Sequence, residues 1–103
     1  MSPNNVHARI ERDRSGRTLI IAEGELDLGT VTTLRRALAL AAEYDDGPLT
    51  LDARGITFCD STGLRLLLAP PADATLRLRD PSEPLRRLLE LTGTIERFDV
   101  EDA

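Results

Sequence analysis

The stretch LTLDARGITFCDSTGLRLLL, residues 49–68, carries the pattern that decides the fold. Its first five residues alternate apolar and polar side chains, which is typical of a β-strand with one buried face. A segment that we interpret as a loop follows, and Asp60 or Ser61 is suited to cap the apolar helix behind it. That helix must end near Pro70, because a proline ring removes a backbone donor and clashes with the preceding turn. The stretch therefore predicts a strand, a loop and a helix of little more than two turns.

The segments before this stretch predict a β-hairpin and then a longer helix. Residues 6–11 alternate apolar and polar side chains, and residues 18–22, TLIIA, form a second short apolar run. A turn containing Ser15 and Gly16 favours antiparallel pairing of these two strands. From residue 31 the apolar period changes to that of an amphipathic helix, which a glycine-proline pair ends.

The segments after it predict one more strand and one more helix. Residues 75–79, TLRLR, alternate as a strand does. The helix in SEPLRRLLELTG has Ser82 as its N-cap and Gly93 as its C-terminal stop. A last short strand is expected at residues 95–98.

This alternation of strands and helices predicts an α/β fold made of a single domain, residues 1–103. We expect a mixed β-sheet of four to five strands covered by about three to four helices. Connections between its parallel strands should be right-handed crossovers. A chain of this length suits one hydrophobic core and no separate module.

Composition excludes several classes of partner. The net charge is −5, and the 13 basic residues are all scattered arginines, so nucleic acid is not expected. The single cysteine, Cys59, cannot form an internal disulfide, which fits a reducing cytoplasm. The N-terminal residues lack the pattern of a signal peptide, and no apolar run approaches the ~20 residues that span a bilayer. We therefore expect a cytoplasmic protein with no membrane contact, and the exclusive use of arginine favours a bacterial source.

The chain offers little of the chemistry that an enzyme needs. His7 is its only histidine and falls on the outward face of the first strand, where a solvated side chain is far more common than a Ser-His-Asp site with Ser61. One histidine and one cysteine do not supply a zinc site, and Cys59 is interpreted as a small buried apolar residue. No glycine motif that cradles phosphates is present. We expect neither a metal nor a cofactor, and no catalytic residues.

Two acids near the second strand leave alternatives open. Glu25 and Asp27 follow that strand, and we expect it to end at the same sheet edge as the CDSTG segment. They could therefore approach Ser61, and an enzyme acting on a small substrate is one interpretation. Acids that cap or stabilise the N-terminus of the next helix are an equally good one.

The CDSTG segment, residues 59–63, contains more than helix capping requires. Gly63 in the first helical turn costs about 1 kcal/mol relative to alanine. A phosphate on Ser61 would add roughly −1.5 to −2 charges at a helix N-terminus, which tolerates an anion. Thr62 is the alternative acceptor, and Gly63 would leave room for the backbone of another protein. A hydroxyl here could switch a binding surface without unfolding the domain.

These motifs together resemble a known family. The resemblance rests on AEGELDLGTVTTLRRAL, on LTLDARGITFCDSTGLRLLL and, more weakly, on LRLRDPSEPLRRLLELTG, and it extends from about residue 24 to residue 98. The sequence looks like a STAS domain, in particular like the bacterial anti-sigma factor antagonists.

The resemblance implies a function and its residues. The family's phosphorylated serine falls on Ser61, the family's nearby aspartate falls on Asp27, and the partner-binding loop corresponds to Asp60, Ser61, Thr62 and Gly63. The unphosphorylated protein would bind an anti-sigma factor, commonly a serine kinase with a histidine-kinase-like ATPase fold, and so release the sigma factor. Phosphorylation by that kinase would weaken the complex, and a PP2C-type phosphatase would restore it. The alternative within the family is a partner subunit of a transporter ATPase or a component of a stress-signalling scaffold.

Overall fold

A five-stranded mixed β-sheet with three α-helices forms the α/β fold of this protein. The computed structural model describes residues 5–102. Its elements are β1 (Val6–Arg12), β2 (Thr18–Leu26), α1 (Val31–Tyr44), β3 (Leu49–Cys59), α2 (Ser61–Leu68), β4 (Leu76–Arg79), α3 (Glu83–Leu91) and β5 (Asp99–Glu101), with short 3₁₀ turns at Pro71–Asp73 and Ile95–Arg97. The predicted fold class is confirmed.

The sheet follows the order of the chain. β1 pairs with β2 as the predicted antiparallel hairpin, and β2, β3, β4 and β5 are parallel neighbours. From β2 to β5, each new parallel strand is added on the same side of the one before it. Right-handed connections between strands added in this way all cross the same face of the sheet. Accordingly, buried residues from α1, α2 and α3 join those of the strands in one hydrophobic core.

The opposite face of the sheet is covered by charged side chains. Arg79 contacts Asp13, and both Arg77 and Arg79 contact Glu101. The polar residues of β3 point to this face because neighbouring side chains alternate along a strand. The core and the helices therefore occupy one side of the sheet, and ion pairs occupy the other.

The segment after residue 53 is a strand, so its interpretation as a loop is wrong. β3 continues to Cys59, and its pairing with β2 passes two irregularities, between Ile21 and Glu23 and between Gly24 and Glu25. A bulge shifts the alternation of side chains by one residue. The apolar and polar pattern of residues 54–59 was therefore not that of a regular strand, although the backbone is extended.

The last strand is also displaced from its predicted position. Residues 95–97 form a 3₁₀ turn, and β5 begins at Asp99. Its position is fixed by pairing with β4, where Arg77 lies opposite Asp99 and Leu78 opposite Val100. This is a contact between distant segments, so the local pattern of residues 95–98 did not contain it.

Candidate functional site

The site predicted around Ser61 lies where β2 and β3 end together. Leu26, the last residue of β2, is the register partner of Cys59, the last residue of β3. The Asp60 N–H donates to the Leu26 carbonyl oxygen over 3.1 Å. Because the strands are parallel, the segments that follow them leave the sheet at the same edge. The prediction that the Asp27 and CDSTG segments share one edge is confirmed.

Asp60 is the N-cap of α2. Its backbone is extended, and its Oδ1 accepts a hydrogen bond from the Gly63 N–H over 3.0 Å. Its carbonyl oxygen accepts the first helical hydrogen bond, from the Leu64 N–H over 2.9 Å. Of the two capping residues that the sequence allowed, the structure selects Asp60. Ser61 is thereby released from capping and becomes the first helical residue.

Ser61 presents its hydroxyl to solvent. The residue is exposed, and within residues 5–102 its side chain makes no hydrogen bond. Thr62, the alternative acceptor, is half-buried. A protein that modifies this turn would reach the serine more easily than the threonine, and the phosphorylated serine would not have to break an existing side-chain bond.

Gly63 is buried, and its missing side chain makes room within its own fold. A Cβ at this position would lie 2.8 Å from Cys59 Sγ, 2.8 Å from Leu26 Cγ and 2.9 Å from the Leu26 carbonyl oxygen. Such distances are too short for a carbon atom, so only glycine lets α2 approach the ends of β2 and β3 this closely. The expected explanation, room for another protein's backbone, is replaced by this one.

Asp27 organises the turn between β2 and α1. Its Oδ1 accepts a hydrogen bond from the Gly29 N–H over 2.9 Å, and its carbonyl oxygen accepts one from the Val31 N–H over 2.8 Å. The N-cap of α1 is Thr30, whose hydroxyl donates to the Glu25 carbonyl oxygen over 2.7 Å. Asp27 thus shapes the start of α1 without being its N-cap. It is half-buried beside the α2 segment.

Glu25 belongs to β2 rather than to the loop after it. It pairs with Phe58, and its N–H donates to the Asn5 carbonyl oxygen over 2.9 Å. Its Oε2 is buried, with no hydrogen-bond partner among the described residues. Glu25 therefore does not cap α1, and it makes no bond to Ser61 in the described part of the chain.

Cys59 is the small buried residue that the sequence predicted. Only 7% of it is exposed, and the thiol is free. Burial, and secondarily the neighbouring Asp60 carboxylate, raises the pKa of this thiol to about 12. A thiol with this pKa is protonated at neutral pH and is not a nucleophile.

Other candidates for catalysis or metal binding do not assemble. His7 is exposed on β1, with its Nε2 atom 3.2 Å from Asn5 Nδ2. Among residues 5–102, no three histidine, cysteine or acidic side chains come together in a way that could hold a metal ion.

Two exposed apolar side chains near the site were not identified from the sequence. Leu28, in the turn after Asp27, is 77% exposed, and Phe58 is 48% exposed. Phe58 lines a groove of about 390 Å³ with Pro84 and Leu91 of α3. The signal for Leu28 was its place between an aspartate and a glycine in a turn, where an apolar side chain has no core to enter. Phe58 gave no such signal, because its exposure follows from the bulged pairing.

Comparison with known families settles the membership of this chain. Residues 10–96 match the family described as "Mlab, STAS domain", which covers most of the sequence. The chain belongs to the STAS domain family. The match begins earlier than residue 24, where the sequence motifs had placed the start of the resemblance, and so includes the end of β1, the hairpin turn and β2 of this STAS domain.

Solved structures similar to this STAS domain include anti-sigma factor antagonists. One from Mycobacterium paratuberculosis superposes with a TM-score of 0.81 at 23% identity, covering 97% of this chain and 88% of that one. The antagonist SpoIIAA in its unphosphorylated form gives a TM-score of 0.72 at 21% identity, covering 94% and 88% of the two chains. The phosphorylated form of SpoIIAA, a Bacillus cell fate determinant, gives 0.66 at 21% identity, covering 94% and 91%. At these identities the likeness establishes a shared fold.

Two further observations complete the comparison. A search of curated proteins found no significant match to this sequence. Within the described residues of this STAS domain, no helix has the length and apolar character needed to cross a membrane.

Proposed function

We propose that this STAS domain is an anti-sigma factor antagonist that is switched by phosphorylation of Ser61. Its unphosphorylated form binds an anti-sigma factor, which then releases its sigma factor. The observation that carries the proposal is the state of Ser61: exposed, free of side-chain hydrogen bonds to the described residues, and held at the start of α2 by the Asp60 cap. The fold that this chain shares with SpoIIAA, which is known in phosphorylated and unphosphorylated forms, supports it.

The proposed binding surface is the sheet edge at which β2 and β3 end. It comprises the predicted residues Asp27, Asp60, Ser61, Thr62 and Gly63, and Gly63 contributes through the close packing that positions Ser61. Leu28, which is 77% exposed, adds an apolar side chain for the partner to contact. A partner that covers this edge would desolvate Leu28 and hydrogen-bond the serine hydroxyl.

Electrostatics provides the switch. The edge already carries the carboxylates of Asp27 and Asp60, and a phosphate on Ser61 adds roughly −1.5 to −2 charges to it. Burying that charge against an apolar partner surface is costly, and an acidic partner group would repel it. The complex is therefore weakened while the fold, which does not depend on the serine hydroxyl, is preserved.

This function assigns the chemistry to the partners. A serine kinase with a histidine-kinase-like ATPase fold, itself the anti-sigma factor, would bring ATP and Mg²⁺, and a PP2C-type phosphatase would remove the phosphate. The STAS domain is then a substrate that needs no cofactor and no catalytic residue. We propose that it acts in the bacterial cytoplasm, without nucleic acid or membrane as a partner.

The first test is phosphate mapping. The purified protein is incubated with Mg-ATP and a lysate of its own cells, and the tryptic peptide GITFCDSTGLR, residues 55–65, is sequenced by mass spectrometry. Fragment ions distinguish Thr57, Ser61 and Thr62. We expect phosphate on Ser61 and none in Ser61→Ala. An unmodified peptide, from a lysate shown to phosphorylate another substrate, would contradict the switch.

The second test is partner binding. Ser61→Ala should capture an anti-sigma factor from the lysate constitutively, and Ser61→Asp should capture much less of it. Thr57→Ala, which removes an exposed hydroxyl of β3 that is not among the proposed binding residues, is the matched control and should behave as the wild type. Equal capture by the alanine and aspartate variants would argue against a switch at this residue. Capture of a transporter ATPase or of a signalling scaffold, without a kinase-like protein, would favour the alternative family role.

A further inference from the structure

Arg65 lies one helical turn after Ser61. Both residues are exposed on α2, four positions apart. Side chains at this spacing are neighbours on a helix surface, with about 5–6 Å between their Cβ atoms. The Cα–Cβ bonds of a helix tilt toward its N-terminus, so the side chain of Arg65 leans toward the turn that contains Ser61.

The guanidinium of Arg65 is unpaired within the part of the chain that the structure describes. Most arginines on the sheet side of the molecule are engaged, as Arg77 and Arg79 are with Glu101. Arg65, by contrast, forms no ion pair and no side-chain hydrogen bond with any residue between 5 and 102. The two carboxylates of the proposed binding surface already accept hydrogen bonds from backbone: Asp60 from the Gly63 N–H, and Asp27 from the Gly29 N–H. The cation is therefore free to bind a new anion.

We propose that Arg65 is the intramolecular counter-ion of a phosphate on Ser61. An anion placed four residues before a cation is the favourable orientation on a helix. A guanidinium can also bind two phosphate oxygens at once, and a phosphate carries roughly −1.5 to −2 charges, which is more than a carboxylate carries. The inference rests on the proposed phosphorylation and specifies how this chain accommodates it.

The consequence is that phosphorylation changes two charges at the binding edge. It adds the phosphate, and it occupies the guanidinium that the unphosphorylated surface presents to solvent. A partner carboxylate that pairs with Arg65 in the complex would lose that contact as the phosphate appears. The same cation limits the repulsion between the phosphate and the carboxylates of Asp60 and Asp27, and so keeps α2 intact.

The test uses phosphoserine installed at position 61 during translation by an expanded genetic code, so that no kinase is required. The second pKa of the phosphate, ordinarily about 6, is measured by ³¹P NMR during a pH titration at low salt. A neighbouring cation favours the doubly charged phosphate, so the pKa should be lower in the wild type than in Arg65→Gln, by about 0.2–0.7 pH units. Arg65→Lys should retain most of the lowering. At 0.5 M salt the difference should shrink, because the pair is exposed and screened.

Two control variants remove the same charge elsewhere. Arg14→Gln changes an exposed residue in the β1–β2 turn, at the opposite edge of the sheet, and should leave the pKa of the phosphate unchanged. Arg35→Gln changes an exposed residue in the second turn of α1 and should also leave the pKa of the phosphate unchanged. Circular dichroism verifies that each variant is folded.

The outcomes separate this inference from the proposed function. A pKa of the phosphate that is equal in wild type and Arg65→Gln would overturn the inference. So would a pKa raised as much by Arg14→Gln as by Arg65→Gln, or a pKa raised by Arg35→Gln and not by Arg65→Gln. Failure to find phosphate on Ser61 after incubation with lysate would instead overturn the proposed function, and it would not affect the titration of the installed phosphoserine.

Discussion

At the scale of single residues, Gly63 determines how closely α2 can pack on the sheet. The contacts that a Cβ would meet include a carbonyl oxygen of β2, which cannot rotate away as the end of a flexible side chain can. Glycine in a first helical turn is less favourable for the helix than alanine. The close packing of α2 on the sheet offsets this loss of stability. The sequence alone showed that the glycine was costly. The structure shows that glycine is needed here for packing within the domain itself.

Gly63→Ala should therefore destabilise the protein, although alanine is the better helix former. Overpacking typically costs about 1–3 kcal/mol, and a clash that includes a backbone oxygen belongs in the upper part of that range, at about 2–3 kcal/mol. Because the gain in helix propensity is at most about 1 kcal/mol, we expect a net loss of about 1–2 kcal/mol. Urea denaturation followed by circular dichroism measures it. Gly29→Ala is the matched control, because its Cβ would lie 3.5 Å from the nearest atom, an ordinary contact. A Gly63→Ala variant as stable as Gly29→Ala would show that α2 does not need the close approach.

At the scale of elements, the turn between β1 and β2 folds over the charged face of the sheet. Asp13 accepts hydrogen bonds from the Ser15 hydroxyl over 2.8 Å and from the Arg17 N–H over 3.0 Å, and its Oδ2 lies 3.4 Å from Arg79 Nη2. These hydrogen bonds hold the pKa of the Asp13 carboxyl well below its usual range, and the bond from the Ser15 hydroxyl has the largest effect. One carboxylate thus fixes the hairpin turn and attaches it to β4.

This element should make stability depend on pH at the acid end. The pKa of Asp13 is lower in the folded than in the unfolded protein, so its contribution is complete above the unfolded value of about 3.9 and is lost as the pH falls below it. Asp13→Asn should lower the urea midpoint at pH 7 and should differ less from the wild type at pH 3. Asp46→Asn, which changes an exposed aspartate, is the control and should have little effect at either pH. A constant difference between wild type and Asp13→Asn from pH 7 to pH 3 would contradict the assignment.

The elements also show where local sequence patterns are sufficient. The strand of residues 6–12, the helices and the cap at Ser82 follow from periodicity and from side chains that bond to nearby backbone. For α2 the same reasoning narrowed the cap to Asp60 or Ser61. The full length of β3 and the position of β5 did not follow, because bulged pairing with β2 and register with β4 are contacts between distant segments. Local sequence patterns therefore contain periodicity and capping, but they do not contain contacts between distant segments.

At the scale of the whole molecule, the candidate site and the hairpin turn lie at opposite edges of the sheet. Ser61 follows the end of β3, while the β1–β2 turn precedes the start of β2. The core between them contains side chains from all three helices. A phosphate on the exposed serine therefore adds charge at one edge without entering the packed interior.

Phosphoserine at position 61 should accordingly leave the fold unchanged. In ¹H–¹⁵N correlation spectra we expect shifts in α2 and in the turns after β2 and β3, and none in residues 13–17. The melting temperature should change by less than about 4 °C, as for a surface substitution in a domain of this size. The unmodified protein at the same pH is the reference. Shifts spread through the sheet would mean that the switch acts by changing the fold rather than the surface.

The sequence by itself determined the fold class, the helices and the resemblance to STAS domains, because periodicity, caps and the DSTG motif are local features of the chain. It also drew attention to Ser61 and Asp27. The tertiary structure decided that Asp60 rather than Ser61 caps α2, that Gly63 serves internal packing, and that Leu28 and Phe58 are exposed. Each of these depends on how parallel strands pair at one edge of the sheet, and strand pairing joins residues that are far apart in the sequence.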